Sequence, residues 1–457
     1  MFLMRTYRIL LGVIIALAAG FTSYSFGLPR EMVATIAITA LTAAWWVTEA
    51  LPIPATSLVP FALFPLAGVM DQREAAASLG SYVIVLLMAS FMLSKALEKS
   101  RVHERLALYM IKFVGTSGRR LVLGFMIAAA LLSMWISNTA TTLMLATMAL
   151  AILSQTDNPK LATPLLLGIA YAASFGGTAT LIGTPPNLIF ADAYFKATGT
   201  ELSFLSWMKI GVPIVVIGVP IMGLWLTRSM SGVKTPELTE PGPWRSEEKR
   251  TLIIFAIAIF LWITRIEPFG GWAGLLGMEG AGDSTVAIFA VVLMFLVPNG
   301  KGGAVLDWKY AVDIPWGMLL LFAGGICIAA GFRASGLDIL IGEQLTGLTN
   351  APIFIMMLGL CLAVTFLTEI TSNTATANLL MPLLAAVAMG SGMRPELLMI
   401  PAAISCSCAF MLPVATAPNA IIYGTGKISI ASMAREGAML NVIVAFIVAS
   451  VCWFALT

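Results

Sequence analysis

Apolar residues run in blocks along nearly the whole chain, and polar residues are confined to short intervals between them. Blocks at 8–28, 32–49, 54–70, 80–98, 162–194, 205–228, 251–266, 283–298, 313–332, 395–425 and 431–456 each predict a membrane span. A hydrocarbon core about 30 Å thick needs roughly 20 apolar helical residues to cross it. Two further stretches, 121–155 and 351–389, are about 35 residues long and carry a polar cluster in the middle. That pattern predicts re-entrant hairpins whose polar tip faces a cavity and not lipid. The fold class expected is therefore an all-α polytopic membrane protein.

The polar intervals add an orientation. The stretch Lys95 to Arg120 holds seven Lys/Arg and two Glu and reads as a basic amphipathic helix on the cytoplasmic face. The segment Thr227 to Arg250, rich in both charge signs and in proline, reads as a cytoplasmic linker between two halves. Met1 to Arg8 is basic and lacks a clear cleavage signal after it, which predicts a retained first span. Trp45, Trp46 and Glu49 are expected at a membrane interface, as is His103.

Composition agrees with the pattern. Of the 457 residues, 59% are hydrophobic and 11% charged, too little charge to cover a soluble protein of this length. A net charge of +3 gives no reason to expect a nucleic-acid partner. The five cysteines lie in apolar segments without metal-ligand spacing, and one histidine cannot build a zinc site. Hydrolytic chemistry would need a nucleophile–base pair or a metal cluster, and the apolar segments supply neither, so an enzyme is not expected.

The halves repeat. Ser137-Asn138-Thr139-Ala140-Thr141 recurs as Ser372-Asn373-Thr374-Ala375-Thr376, 235 positions later. Gly183-Thr184-Pro185-Pro186-Asn187 is followed in the second half by Ala415-Thr416-Ala417-Pro418-Asn419. Asn138 to Asn187 is 49 residues and Asn373 to Asn419 is 46. The segment before the second hairpin, Gly331 to Asn350, has one basic residue, Arg333, where its counterpart is strongly basic. This opposite bias predicts an inverted repeat, with a site near the membrane midplane where broken helices meet.

The repeated motifs offer hydroxyls, amides and the free backbone of helix breaks. Amides donate to carboxylates through nitrogen and meet cations through oxygen. Helix N-termini favour anions. Formal charge is almost absent: none lies between Ser133 and Thr142, Ser174 and Phe190, or Ala409 and Gly426, and the second Ser-Asn-Thr region has only Glu369. An anion buried there lacks an arginine clamp, so accompanying cations would have to balance it.

At these residues the chain resembles the divalent anion/sodium symporter family, whose hallmark is the paired Ser-Asn-Thr motif. The stretch Cys406 to Ile422 resembles the family signature, with Ile422 where Val is common, and Trp46 to Pro60 also looks familial. The resemblance implies a secondary active symporter importing a C4-dicarboxylate of the succinate, malate or fumarate type with sodium as coupling ion. It further implies a homodimer in bacterial inner-membrane lipid, with eleven spans and two hairpins per protomer. A transport domain (121–228 and 351–457) would move as an elevator against a scaffold (1–120 and 251–350), with 229–250 as linker. By the same resemblance, one sodium meets Ser133, Ser137, Asn138 and Gly183. The other meets Thr368, Thr371, Asn373 and Ala415, several through backbone oxygen. Substrate carboxylates meet Asn138, Thr139, Thr184, Asn373, Thr374, Thr416 and Ala417. Ala417 stands where many relatives have proline, which bears on substrate preference. A sodium-independent dicarboxylate exchanger and a citrate or sulfate transporter of the same fold are the alternatives.

Overall fold

The computed structural model describes residues 2–115, 118–155, 159–230, 242–344 and 352–457. These are helical throughout, with one isolated β-bridge between Pro298 and Ala304. Eight helices are long and apolar enough to cross a membrane, and several shorter apolar helices pack among them.

The chain opens with α1 (Phe2–Ser25) and α2 (Arg30–Thr48), which pack together. The predicted span 54–70 is instead two short pieces, α3 (Ile53–Thr56) and α4 (Val59–Ala67). Proline at 52, 54, 60 and 65 interrupts the backbone ladder there. Trp46, expected at an interface, is buried and donates to Ser57 Oγ at 3.0 Å. After α5 (Gln72–Ala77) the first repeat begins. It comprises α6 (Tyr82–Ser100), α7 (Val102–Val114), α8 (Gly118–Ser133), α9 (Asn138–Leu153), α10 (Pro159–Gly176), α11 (Pro185–Thr198) and α12 (Phe204–Leu226).

Between the repeats lie α13 (Ser246–Ile263), α14 (Gly271–Leu275), α15 (Asp283–Leu296) and α16 (Trp308–Ala311). The second repeat then runs α17 (Trp316–Ser335), α18 (Leu337–Gln344), α19 (Ile353–Thr368), α20 (Asn373–Gly390), α21 (Glu396–Ser405), α22 (Ala417–Gly424) and α23 (Ile430–Leu456). Residues 231–241 of the expected linker and 345–350 of the second amphipathic segment lie outside the described residues.

The predicted basic helix 95–120 divides at Arg101, which takes a left-handed conformation (φ 59°). Gly336, 235 positions on, makes the same corner (φ 73°) between α17 and α18. His103 sits buried under the first corner, its Nδ1 3.0 Å from Leu97 O. Arg105 fastens α7 to the start of α13, 3.1 Å from Glu248, and donates to Pro243 O at 3.0 Å.

The repeats interlock as a two-fold relation requires. Within the first, α8, α10 and α12 pack on one another, and within the second α19, α21 and α23 do so. Between them, α9 packs on α22 and α20 on α11. Each repeat also brings its last helix against its own break through a glycine at the eighth position. A Cβ on Gly211 would lie 2.6 Å from Thr178 O, and one on Gly437 would overlap Phe410 O.

Among the described residues, four interruptions flank the repeated motifs: 134–137 between α8 and α9, 369–372 between α19 and α20 (the two tips), and 180–184 and 406–416 between α10 and α11 and between α21 and α22. In the first repeat the Thr180 hydroxyl donates to Met134 O, tying tip to break. In the second the matched pair is Glu369 and Leu412, and donation again runs from break to tip, here from a backbone N–H to a side chain. The buried Glu369 carboxylate accepts from Phe410 N (2.7 Å), Met411 N (2.8 Å), Leu412 N (3.0 Å) and Asn441 Nδ2 (2.8 Å). Stranding a buried donor costs about 1–3 kcal/mol. Glu369→Met, which installs the residue of the matched first-repeat position at similar volume, should therefore lower the melting temperature of detergent-solubilised protein by several degrees. An unchanged melting temperature would show that these four bonds contribute nothing.

Candidate functional site

The N-termini of four helices meet at one place. Asn138 opens α9, Pro185 opens α11, Asn373 opens α20 and Ala417 opens α22. Ser137 and Ser372 precede α9 and α20, and neither spends its hydroxyl on capping. The helix ends enclose a cavity of about 730 Å³. All seven residues expected at the substrate line it: Asn138, Thr139, Thr184, Asn373, Thr374, Thr416 and Ala417. Ser137, Gly183, Ser372 and Ala415 line it as well.

The charged residues of this lining stand apart from the motifs. They are Lys95 and Glu98 on α6 and Asp313 before α17. Lys95 Nζ lies 3.1 Å from Glu98 Oε2 and 3.3 Å from Asp313 Oδ2, so two carboxylates already engage it. None of the described motif residues is cationic, so what the motifs offer an anion is the helix N-termini themselves. Lys95 and Glu98 sit at the end of α6 that leads into the basic α7, the side that the charge bias assigns to the cytoplasm.

Behind this wall are two oxygen clusters. In the first repeat Ser133 Oγ and Asn138 Oδ1 are buried and have no hydrogen-bond partner. A Cβ on Gly177 would lie 2.8 Å from Gly183 O and 3.0 Å from Asn138 Oδ1, so these two oxygens face the same bare α-carbon. In the second repeat Thr368 Oγ1 is 2.7 Å from Asn373 Oδ1 and 3.0 Å from Cys406 O. One hydroxyl proton cannot serve both contacts. Unpartnered or under-protonated neutral oxygens are what a hard monovalent cation requires, so both clusters fit the ion the resemblance implies. Thr371 is the exception within its expected set. Its hydroxyl is committed to Leu367 O at 2.8 Å and Thr376 Oγ1 at 2.7 Å, leaving its backbone oxygen as the group it could offer.

Three residues absent from the sequence-derived set also belong here. Ser407 Oγ is 3.2 Å from Thr184 Oγ1 and joins the break of one repeat to that of the other. Asn187 and Asn419 are fully buried and donate back across their breaks. Asn187 Nδ2 reaches Gly177 O (3.1 Å) and Thr180 O (2.7 Å), and Asn419 Nδ2 reaches Ala409 O (3.1 Å) and Leu412 O (3.0 Å). Both asparagines close the repeated Pro-Asn motifs, and that repetition was their signal. Nothing in the sequence around Ser407 points to Thr184.

Comparison with known proteins places this geometry. A family profile described as "Citrate transporter" matches residues 43–397. The sodium-dependent dicarboxylate transporter SdcS of Staphylococcus saprophyticus is 40% identical over 92% of this chain and 85% of its own. The protein of the same name from Staphylococcus aureus strain RF122 is 39% identical over 94% of this chain and 87% of its own. Among solved structures, the Alcanivorax borkumensis YdaH transporter superposes with a TM-score of 0.61 at 16% identity, covering 83% of this chain and 87% of that one. Neisseria gonorrhoeae MtrF gives the same TM-score and identity, covering 83% and 82%. At that identity the two structures speak for the fold alone. The extent of the profile match and the identity to SdcS together establish that this chain belongs to the citrate transporter family, a family of membrane transporters and not of enzymes.

Proposed function

We propose that this protein is a sodium-coupled symporter that imports a C4-dicarboxylate across the bacterial inner membrane. The observation that carries this reading is the junction of four helix N-termini around a cavity without a free cationic side chain, backed by two neutral oxygen clusters. Helix ends and amides can orient two carboxylates, but they supply less than one full charge each. A dianion therefore needs the cations that the oxygen clusters fit. Asn138 and Asn373 each stand at both surfaces: the amide oxygen faces a cation cluster and the residue lines the substrate cavity. Filling either cation site would orient these amides toward substrate, and that is the coupling. The relatives named as sodium-dependent dicarboxylate transporters support the same choice of ion and substrate class. The family profile's own description favours citrate as the second reading. An exchanger that works without sodium would need a charge within the motifs, and none of the described motif residues carries one apart from Glu369, whose oxygens are engaged.

The proposed motion follows from the repeat. If the halves are inverted, one fold has two near-equivalent arrangements, one open to each face. The hairpins and broken helices, 121–194 and 351–425, would move as an elevator against the spans that hold a homodimer together, and the cavity's continuity with Lys95 and Glu98 supports an inward-open reading of the present arrangement.

In proteoliposomes, uptake of labelled succinate should require an inward sodium gradient and be competed by malate and fumarate. Full uptake in potassium or choline would end the symport reading, and competition by citrate but not by C4 acids would move the assignment to the second one. Asn138→Ala and Asn373→Ala should each abolish uptake while leaving the folded protein in detergent, and wild-type uptake in either would refute a site shared between the repeats. Complete cross-linking of engineered cysteines between α17 and α20 should stop transport reversibly. Uptake that persists through it would overturn the elevator assignment and leave the sodium chemistry standing.

A further inference from the structure

We infer that Asn187 and Asn419 are paired positioning residues, one in each repeat, that fix the backbone walls of the two cation sites and thereby set sodium affinity without touching sodium or substrate. The inference rests on the sodium-coupled reading above and extends it to residues that neither line the cavity nor belong to the expected ligand sets.

The two side chains do the same thing in detail. Each is fully buried. Each donates both amide hydrogens to carbonyls ten and seven residues earlier, and each leaves its own Oδ1 without a partner. The second carbonyl in each case is shared. Thr180 O also accepts from Gly183 N at 3.4 Å, and Leu412 O also accepts from Ala415 N at 3.2 Å. Gly183 and Ala415 are the backbone positions expected at the first and second ion. Each asparagine thus pins the turn that presents that residue, from the opposite side of the break.

The first carbonyl acts on the wall. Asn187 holds Gly177, whose α-carbon packs against Gly183 O and Asn138 Oδ1. In the second repeat both backbone groups of Leu412 are held, its N–H by Glu369 and its carbonyl by Asn419. A leucine of similar volume would fill either space and avoid stranding an Oδ1 in an apolar body. What only the amide supplies is two donated hydrogens at a fixed separation. Groups that orient metal ligands without contacting the ion typically govern affinity by 10–100-fold.

The test uses the full-length protein. Asn187→Asp and Asn419→Asp keep the shape and replace both donated hydrogens with an acceptor facing two carbonyls; Asn187→Ser and Asn419→Ser are milder. Two quantities are read for each: the sodium concentration giving half-maximal succinate uptake, and that giving half-maximal sodium-dependent thermal stabilisation in detergent without substrate. Both should rise about tenfold or more, while the succinate KM at saturating sodium stays within about twofold of wild type, since a ligand-orienting group is bypassed once the ion is bound. Folded variants with wild-type sodium dependence would overturn the inference, and so would sodium and succinate affinities that fall together, which is the signature of general loosening. Failure of all four variants to fold would also overturn it, because tuning requires an intact site. A wild-type protein that shows no sodium dependence would sink the functional reading instead.

Discussion

A helix that stops inside an apolar body leaves backbone donors and acceptors that neither lipid nor packed side chains can satisfy, and each must find a partner or cost the fold. This chain has four such interruptions and closes them from within. Thr180 reaches back to Met134 at the end of α8, and Glu369 gathers three successive N–H groups of the second break. Two asparagines draw carbonyls together across their own turns. Among the buried side-chain oxygens left without a partner are Ser133 Oγ and Asn138 Oδ1, beside the helix starts that face the cavity. In the proposed function, the neutral groups left at these helix ends are what would receive small charged species.

Neutral ligands suit a carrier better than a binding protein. A fixed arginine pair would hold a dicarboxylate tightly, yet would remain as uncompensated buried charge after release, at considerable cost in low dielectric. Amides, hydroxyls and helix ends carry no such penalty when empty. In the proposed cycle the charges that balance the substrate arrive and depart with it, so loaded and empty sites are both tolerable. The ion-paired mouth at Lys95, Glu98 and Asp313 obeys the same rule, with its lysine engaged between two carboxylates.

Much of this was legible in the sequence because the repeat is. Identical Ser-Asn-Thr motifs and matched Pro-Asn motifs located all four helix starts, and every residue expected at the substrate lines one cavity. Boundaries were less visible. Hydropathy cannot see that Arg101 turns a corner, so one amphipathic stretch became the end of α6 and a separate α7. Prolines broke 54–70 where apolar character alone predicted a span. Contacts between distant positions were out of reach: Glu369 meets amides 41 to 43 residues away and Asn441 72 residues away, and Thr184 meets Ser407 across 223. Periodicity reports which face a residue occupies, and it carries no information about which other face it will meet. The counterpart of Glu369 is Met134, so the repeat itself gave no hint that one tip would carry a carboxylate.

That single asymmetry has an electrical meaning. Glu369 accepts four hydrogen bonds, none of them from a basic side chain, at a position where the first repeat has the apolar Met134. In the proposed elevator, a carboxylate carried through the membrane field would do electrical work even with nothing bound, up to about 2.3 kcal/mol for a full traverse at 100 mV. The return of the vacant carrier would then be a voltage-sensing step in its own right. Membrane potential would influence the turnover cycle through the protein's own valence as well as through the stoichiometry of its cargo.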